Sequence, residues 1–469
     1  MLKHYLKNYF GNYHLSSIPI VFIIMILSGL MLLHTAYAEN NKIYNFTLEK
    51  CVEFALANNP DLSVSAMESD IKKIDIMLNR SAFFPKVDIG SSYTRYEYDQ
   101  RIVPPHANNE PAIFDDDIIS SGIYLTMPVF RGGKNVAAYK SSRLSSKVAE
   151  DNYISARENT IILISNLFYR ILETDDKIKS LNASLDALES QKKLTDLNVK
   201  VGRRTKLDEM KINVRVASVK QRLSSSIAAK KVLLTQLKRA MGEKSIQSSL
   251  LEISGSLTVK KQALPSLDNA FDYALTKRPE YKAALLEVSI ADQGLKIARS
   301  GFFPKADIFA SETIRNGFPY DQDNSANNAD GNETSWVAGV KISVPLFRGG
   351  ATRAGVLKAE KKIAQAREKL RSVRLRIKEE VVKAYTAIDD SLLRLMVQKD
   401  NVSAAKEALR IERARYKNGK SNINDILDAQ AEMLQAETDY SRAAADYILA
   451  GIYWQRVLGN PLQEFIALK

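Results

Sequence analysis

Apolar residues along this chain follow two spacings, and each spacing returns later in the same order. From Thr47 to Ala82 they recur every three to four residues, and the pattern repeats from Ser266 to Gly301; that spacing predicts one amphipathic helix in each place. Phe83-Phe84-Pro85 and Phe302-Phe303-Pro304 close the two helices, because proline lacks an N–H and drives the residue before it out of the helical region. The period then changes to two. Ile119, Ser121, Ile123, Leu125 and Met127 alternate with Ser120, Gly122, Tyr124 and Thr126, and Trp336, Ala338, Val340, Ile342 and Val344 alternate with Val337, Gly339, Lys341 and Ser343. Alternation over about ten residues is how a transmembrane β-strand reads. Partner strands over Val87–Tyr98 and Ala306–Ile314 alternate less cleanly. The connecting stretches Asp99–Asp117 and Asn316–Thr334 are rich in Asn, Asp, Pro and Gly and read as water-facing loops.

The helical period then returns without a proline over Gly133–Val201 and Gly350–Lys417, enough for roughly 100 Å of helix. Leu181, Leu185 and Leu188, then Leu194, Leu197 and Val201, have coiled-coil spacing. Turns at Gly202 and Gly419 lead to return helices ending at Met241-Gly242 and Leu458-Gly459. Helices of this length cannot fold into a globule and must lie side by side.

The chain is therefore two copies of one plan. Ala82-Phe83-Phe84-Pro85-Lys86-Val87-Asp88 returns as Gly301-Phe302-Phe303-Pro304-Lys305-Ala306-Asp307, an offset of 219. Met127-Pro128-Val129-Phe130-Arg131-Gly132-Gly133 returns as Val344-Pro345-Leu346-Phe347-Arg348-Gly349-Gly350, an offset of 217. A unit this long is a duplicated domain rather than a solenoid repeat. The expected organisation is a leader over 1–38, a first repeat over 39–242 (β-hairpin about 86–130, helical hairpin about 133–242), a linker over 243–265, a second repeat over 266–459 (β-hairpin about 305–347, helical hairpin about 350–459) and a tail over 460–469. The linker and tail are expected to lie outside the main barrel.

Composition narrows the chemistry. Of 469 residues only four are His and one is Cys. His4, His14 and His34 fall in the leader: Lys3 and Lys7 precede the apolar run Ile18–Leu33, and Ala36-Tyr37-Ala38 follows it, the three parts of a cleaved secretory signal. Removing it lowers the net charge from +13 to +11, since it carries two lysines and no acid. One His and one Cys exclude a Ser/His/Asp triad, a Cys/His pair, a His-based metal site and a disulfide framework, so no enzyme and no cofactor is expected. Cys51 reads as a core residue. Gly132-Gly133 and Gly349-Gly350 lack the Gly-Lys-Ser/Thr ending of a phosphate loop and read as strand-to-helix turns. The positive charge spreads along the long helices and accompanies no nucleic-acid-binding motif.

Four membrane strands cannot close a barrel, and an open edge in lipid is prohibitive. Two chains give eight strands and a filled lumen; three give twelve and a conducting one. With the helices continuing the same cylinder, the product is a pipe. Tyr93, Tyr96, Tyr98, Tyr124 and Trp336 are candidates for an interfacial aromatic girdle.

From Asn45 to Asn460 the plan resembles the outer membrane efflux protein family, the TolC-like channels. The resemblance rests on the duplicated element order, the two junction motifs and the tip sequence Tyr416-Lys417-Asn418-Gly419-Lys420-Ser421-Asn422-Ile423-Asn424-Asp425-Ile426-Leu427-Asp428-Ala429. It implies a mostly α fold with a β-barrel part. A homotrimer would form a twelve-stranded barrel in the outer-membrane lipid, continued by an α-helical barrel through the periplasm. It implies a passive exit duct that docks a periplasmic adaptor and an inner-membrane transporter of RND, ABC or MFS type. By the same match Asp425 and Asp428 form the periplasmic constriction. They are three residues apart, hence on one helix face, and three-fold symmetry makes each a carboxylate ring that attracts cations. Asp208, at the same distance from Gly202 as Asp425 from Gly419, and Tyr416 are latch candidates. The family's gate arginine is Ser421 here. Gly202, Arg203, Arg204, Gly419 and Lys420 are adaptor-docking candidates, and Lys206 and Lys417 add to the basic tip. A periplasmic adaptor built from long α-hairpins is the alternative, although an adaptor carries one hairpin and this plan has two.

Overall fold

The computed structural model describes residues 44–103, 113–242, 251–259, 264–317 and 332–467. The leader over 1–38 lies outside the described residues, as do parts of the linker and of both polar loops. Element order repeats. Strand β1 (Tyr44–Phe46) precedes helices α1 (Leu48–Asn58) and α2 (Pro60–Ser81), strands β2 (Lys86–Val103) and β3 (Ile113–Phe130), and helices α3 (Lys134–Lys200) and α4 (Lys206–Met241). Strand β4 (Leu251–Ile253) opens the second series of α5 (Leu267–Lys277), α6 (Pro279–Arg299), β5 (Lys305–Gly317), β6 (Asn332–Ser343), α7 (Ala351–Lys417) and α8 (Ile423–Leu458). The short α9 (Leu462–Ala467) follows.

Two expectations need correction. The first helix of each copy is not continuous. It breaks at Asn59-Pro60 and at Arg278-Pro279, where the capping residues take ψ 122° and 125°, because neither proline can donate into the preceding turn. Asn59 turns the break into a joint: its Oδ1 accepts from the Leu62 amide at 2.8 Å and its Nδ2 donates to the Ala240 carbonyl at 2.6 Å. The hairpin loops are also shorter than their composition implies. Asp99–Val103 and Ile113–Asp117 are strand, with Gln100 opposite Asp115 and Arg101 opposite Phe114 after a register shift; β5 reaches Gly317 and β6 begins at Asn332. Backbone pairing continues through polar side chains because a sheet that rises into water needs no apolar face there.

The strands form one antiparallel sheet in the order β2-β3-β5-β6. The hairpins share a register, Lys86 opposite Thr126 in the first and Lys305 opposite Ser343 in the second. The copies join where β3 pairs with β5, from Ile118–Gly317 to Phe130–Ala306. β2 and β6 are the outer strands, so the sheet is open. Of the aromatic candidates, Tyr93, Tyr98 and Trp336 expose 60%, 73% and 78% of their surface, and Tyr96 and Tyr124 40% each.

Helices α3 and α7 have 67 residues each, about 100 Å, and each folds back on a 36-residue partner, α4 or α8. At the strand-to-helix junctions Gly132, Gly133, Gly349 and Gly350 all take positive φ, open only to glycine at low cost. Two apolar clusters lie near the middle of the long helices. One gathers Cys51, Ile161, Ile164, Phe168, Leu237 and Ile452; the other gathers Ile377, Val381, Ile388, Tyr447, Trp454 and Val457. Cys51 is fully buried, and burial pushes its thiol up to about 12. β4 pairs in parallel with β1, and α9 inserts Leu462 and Ile466 into the first cluster.

A charged knot ties four helices beside these clusters. Arg278, 3% exposed in its side chain, reaches Glu380 at 2.6 Å and Glu280 at 3.3 Å. Arg456 reaches Glu280 at 3.0 Å and Asn159 at 3.1 Å. Burial acts to raise the Glu280 pKa, but the charges of Arg278 and Arg456 and a backbone hydrogen bond outweigh it and hold the carboxyl below its ordinary value.

Candidate functional site

The two hairpin tips are built alike from sequence. Gly202 and Gly419 take φ +73° and +69° and reverse the chain. The amides beyond them bond back to the closing turn, Arg203 to the Asn198 carbonyl and Lys420 to the Arg415 carbonyl, both at 2.8 Å. A capping box opens each return helix. The Asp208 amide donates to Thr205 Oγ1 and the Thr205 amide to Asp208 Oδ2, both at 3.2 Å. The Asp425 amide donates to Asn422 Oδ1 at 3.1 Å and the Asn422 amide to Asp425 Oδ2 at 3.0 Å. Both aspartates thus satisfy helix N-terminal donors and sit favourably in the macrodipole.

The start of α8 packs into the first hairpin. Ile423, Ile426, Leu427 and Leu434 share a cluster with Leu181, Leu188, Ile212, Val216 and Val219. Leu181 and Leu188 are buried as their spacing predicts. Leu194, Leu197 and Val201 are 56%, 60% and 68% exposed, because nearer the tip this face of α3 turns away from the protomer's own helices.

Asp428, its side chain 72% exposed, meets Arg215 of α4 at 3.4 Å, and the same guanidinium donates to the Leu427 carbonyl at 3.2 Å. Arg204, at the first tip, stacks over the Tyr416 ring with its guanidinium carbon 4.5 Å from the centroid. Asp208 and Tyr416 are not joined in the protomer: Asp208 is taken up by its cap, and the Tyr416 hydroxyl is buried without a hydrogen-bond partner among the described residues. Ser421 Oγ and Gln430 Oε1 are in the same condition. A cleft of about 1110 Å³ opens beside the tip, lined in part by Arg203, Arg204, Arg413, Tyr416, Lys417 and Gln430. Lys206 pairs with Glu209 at 2.7 Å; Arg203, Lys417 and Lys420 are exposed. Sequence reading missed Arg215. The available signal was its position seven residues, two helical turns, beyond Asp208 on the same face.

The arrangement offers carboxylates and guanidiniums at the end of a long hairpin. Among the described residues no group of His, Cys, Asp or Glu is placed to hold a metal, and no helix is long and apolar enough to cross a membrane. What these groups offer chemically is charge for ion pairing and apolar faces on which helices pack.

The chain is 23% identical over 431 residues to the outer membrane protein TolC of Vibrio cholerae, spanning 90% of this chain and 91% of that one. It is 20% identical over 403 residues to the alkaline protease secretion protein AprF of Pseudomonas aeruginosa, spanning 86% and 82%. The crystal structure of the Campylobacter jejuni CmeC outer membrane channel shares the fold, with a TM-score of 0.76 at 18% identity over 90% of this chain and 88% of that one. The family model described as outer membrane efflux protein matches residues 52–243 and 270–460, once over each copy and over most of the chain, and the chain belongs to that family.

Proposed function

We infer that this chain provides an outer-membrane exit duct for efflux or type I secretion and that it works as a homotrimer. One observation carries the reading: an open four-stranded sheet, β2-β3-β5-β6, crowns two hairpins whose long helices each have 67 residues. Two unpaired edges in lipid are untenable, and three copies close them into twelve strands. The exposed stripe Val64, Met67, Ile71, Ile74 and Leu78 on α2, each more than half exposed, has the spacing by which helices pair side by side and supports the same closure. Residues 39–242 and 266–459 form the two repeats, joined by 243–265 and followed by the tail 460–469.

In this reading the α8 tips converge on the axis, and Asp425 and Asp428 ring the periplasmic entrance. Tyr416, held by Arg204, and the α4 start fixed by Asp208 form the latch. Gly202, Arg203, Arg204, Gly419 and Lys420 face a periplasmic adaptor, which brings an inner-membrane transporter of RND, ABC or MFS type. The duct is passive and needs no cofactor; its energy comes from those partners. The adaptor alternative finds no support among the relatives. Purified protein tests the reading. A detergent-corrected mass of three chains and discrete conductance in a planar bilayer, blocked by trivalent cations from the tip side, are expected. A monomer that inserts no channel refutes it.

A further inference from the structure

The internal repeat specifies how neighbouring copies join. β3 pairs with β5 inside the protomer, and β3 and β5 correspond to β6 and β2 in the other copy, by offsets of 217 and 219. The offsets hold at strand level, because Lys86–Thr126 and Lys305–Ser343 are the same pair in the two hairpins. Transposing the β3–β5 ladder by those offsets gives a β6–β2 ladder. The protomer does not make that ladder.

The two copies differ where a neighbour is missing. In the first, Phe130 is the last residue of β3 and lies opposite Ala306. In the second, β6 stops at Ser343, and Leu346 and Phe347 are 94% and 88% exposed. Gly132 and Gly349 share a backbone conformation, φ +60° and +58°. A Cβ at Gly132 would meet Phe303 at 2.6 Å and the Ser300 carbonyl at 2.8 Å, whereas nothing lies within 4 Å of one at Gly349. Arg131 meets Asp307 at 2.6 Å, an ion pair by distance rather than an aligned hydrogen bond. Their counterparts Arg348 and Asp88 are exposed and have no ion-pair partner among the described residues of the protomer.

We propose that β6 of each copy pairs antiparallel with β2 of the next in the transposed register, and that Arg348 closes each junction on Asp88 of the neighbouring copy. The inference rests on the trimeric reading above and adds its register and its ion pair. Val340 lies opposite Tyr93, Lys341 opposite Ser92 and Pro345 opposite Asp88, and Leu346 takes the place of the shift seen at Val129. A Cβ at Gly122 would press on the Glu312 carbonyl at 2.7 Å, so its counterpart Gly339 gives the same close approach to Tyr93 of the neighbouring copy. In this ladder the protomer's three internal strand junctions and the intermolecular one form a continuous closed sheet, and Arg131–Asp307 and Arg348–Asp88 alternate around its base.

Cysteine cross-linking of the full chain in a Cys51→Ala background tests the register. Successive pairs in an antiparallel ladder alternate between wide and close spacing, so Val340→Cys with Tyr93→Cys and Lys341→Cys with Ser92→Cys cover both, and the close pair suits a disulfide. Mild oxidation is expected to give a covalent trimer from at least one matched pair and none from Lys341→Cys with Thr94→Cys, shifted by two residues. A trimer by mass that cross-links at the shifted pair, or at neither matched pair, overturns the register. A monomer by mass overturns the trimeric reading itself. Asp88→Arg and Arg348→Asp are each expected to lower the temperature at which the trimer dissociates in SDS, and the double reversal to restore it. Loss without restoration overturns the ion pair, and a cross-linked trimer in the same variants shows that folding is intact.

Discussion

Asp425 holds a helix cap and, in the proposed duct, carries a ring charge, and the two roles separate by substitution. Asp425→Asn keeps an oxygen that can accept from the Asn422 amide, now at 3.0 Å, and removes only the charge. Asp425→Ala removes both and costs a further ~1 kcal/mol per helix. The ring charge follows from the tip: Asp425, Asp428 and Arg215, paired with Asp428 at 3.4 Å, leave each protomer at −1 and a trimer at −3. At roughly 5 Å from a trivalent cation, one carboxylate contributes about 2.5 kcal/mol in bulk water, and about 1.5 kcal/mol after screening at 0.1 M salt. That is about tenfold in affinity per carboxylate, or about a thousandfold for a ring of three. Neutralising Asp425 should weaken block by about that factor. Neutralising Asp428 should weaken it at least as much, because it also frees the Arg215 charge. Neutralising both reverses the sign to +3 and should abolish block, whereas Arg215→Gln should tighten it. The assay is single-channel conductance with a trivalent cation titrated from the tip side. A blocking constant that moves less than tenfold in the double variant refutes the ring, and Arg215→Gln that weakens block refutes the charge arithmetic.

Arg278→Met should cost about 2–4 kcal/mol, since unpairing a buried ion costs about 3–5 kcal/mol and Arg456 remains to neutralise part of the charge; an unchanged melting temperature in detergent would contradict the knot. Glu280 has a depressed carboxyl pKa, so its stabilisation is present above the unfolded value of about 4.3 and is lost as pH falls through the lower folded value. Wild-type melting should therefore drop below about pH 4, and the drop should shrink in Arg278→Met. Cys51, with its thiol pushed up to about 12, should resist alkylation at pH 8 in folded protein and react once guanidinium unfolds it; mass spectrometry of the labelled chain decides. Gly242→Ala should destabilise by at least about 1 kcal/mol, because φ is +78° there and a Cβ would collide with the Asn58 carbonyl; helix content followed by circular dichroism on heating measures it.

Periodicity made the helices and strands legible because their apolar faces are buried or lipid-facing over many turns. The ends of the strands were not legible. Gln100 and Asp115 look like loop and pair like strand, since backbone hydrogen bonds carry no side-chain signature. Pro60 and Pro279 were visible, but a break needs a partner that receives it, and the Asn59 bond to Ala240 spans 181 positions. At the tip, the equal spacing Gly202–Asp208 and Gly419–Asp425 aligned the two aspartates, and the structure gives both the same place in a capping box, because a capping box is local. Arg215 with Asp428, and Arg204 with Tyr416, join residues more than two hundred positions apart, and no local pattern announces such a pair.

Departures from the repeat show what the duplication is for. Shifted by 217, Arg204 falls on Ser421, Lys211 on Asp428, Arg215 on Glu432 and Val199 on Tyr416. Within a frame that keeps its tip glycine and its capping aspartate, the first copy carries cations at the three positions where the second has Ser421, Asp428 and Glu432, and the second has an aromatic ring where the first has Val199. The contacts follow that division, since Arg204 meets Tyr416 and Arg215 meets Asp428. At the second place identical copies would set like charges together, Arg215 against Lys211 or Glu432 against Asp428, where the diverged copies set opposite ones; at the first they would lose the stacking, leaving Arg204 against Val199 or Ser421 against Tyr416. An exposed pair of this kind contributes about 0.2–1 kcal/mol, a small sum even multiplied by three. Pairs that weak add little to the buried packing of Ile423, Ile426 and Leu427 against Leu181 and Ile212 that holds the α8 start on the first hairpin, so opening of the proposed duct would have to move the α8 start and the first hairpin together or part that apolar cluster.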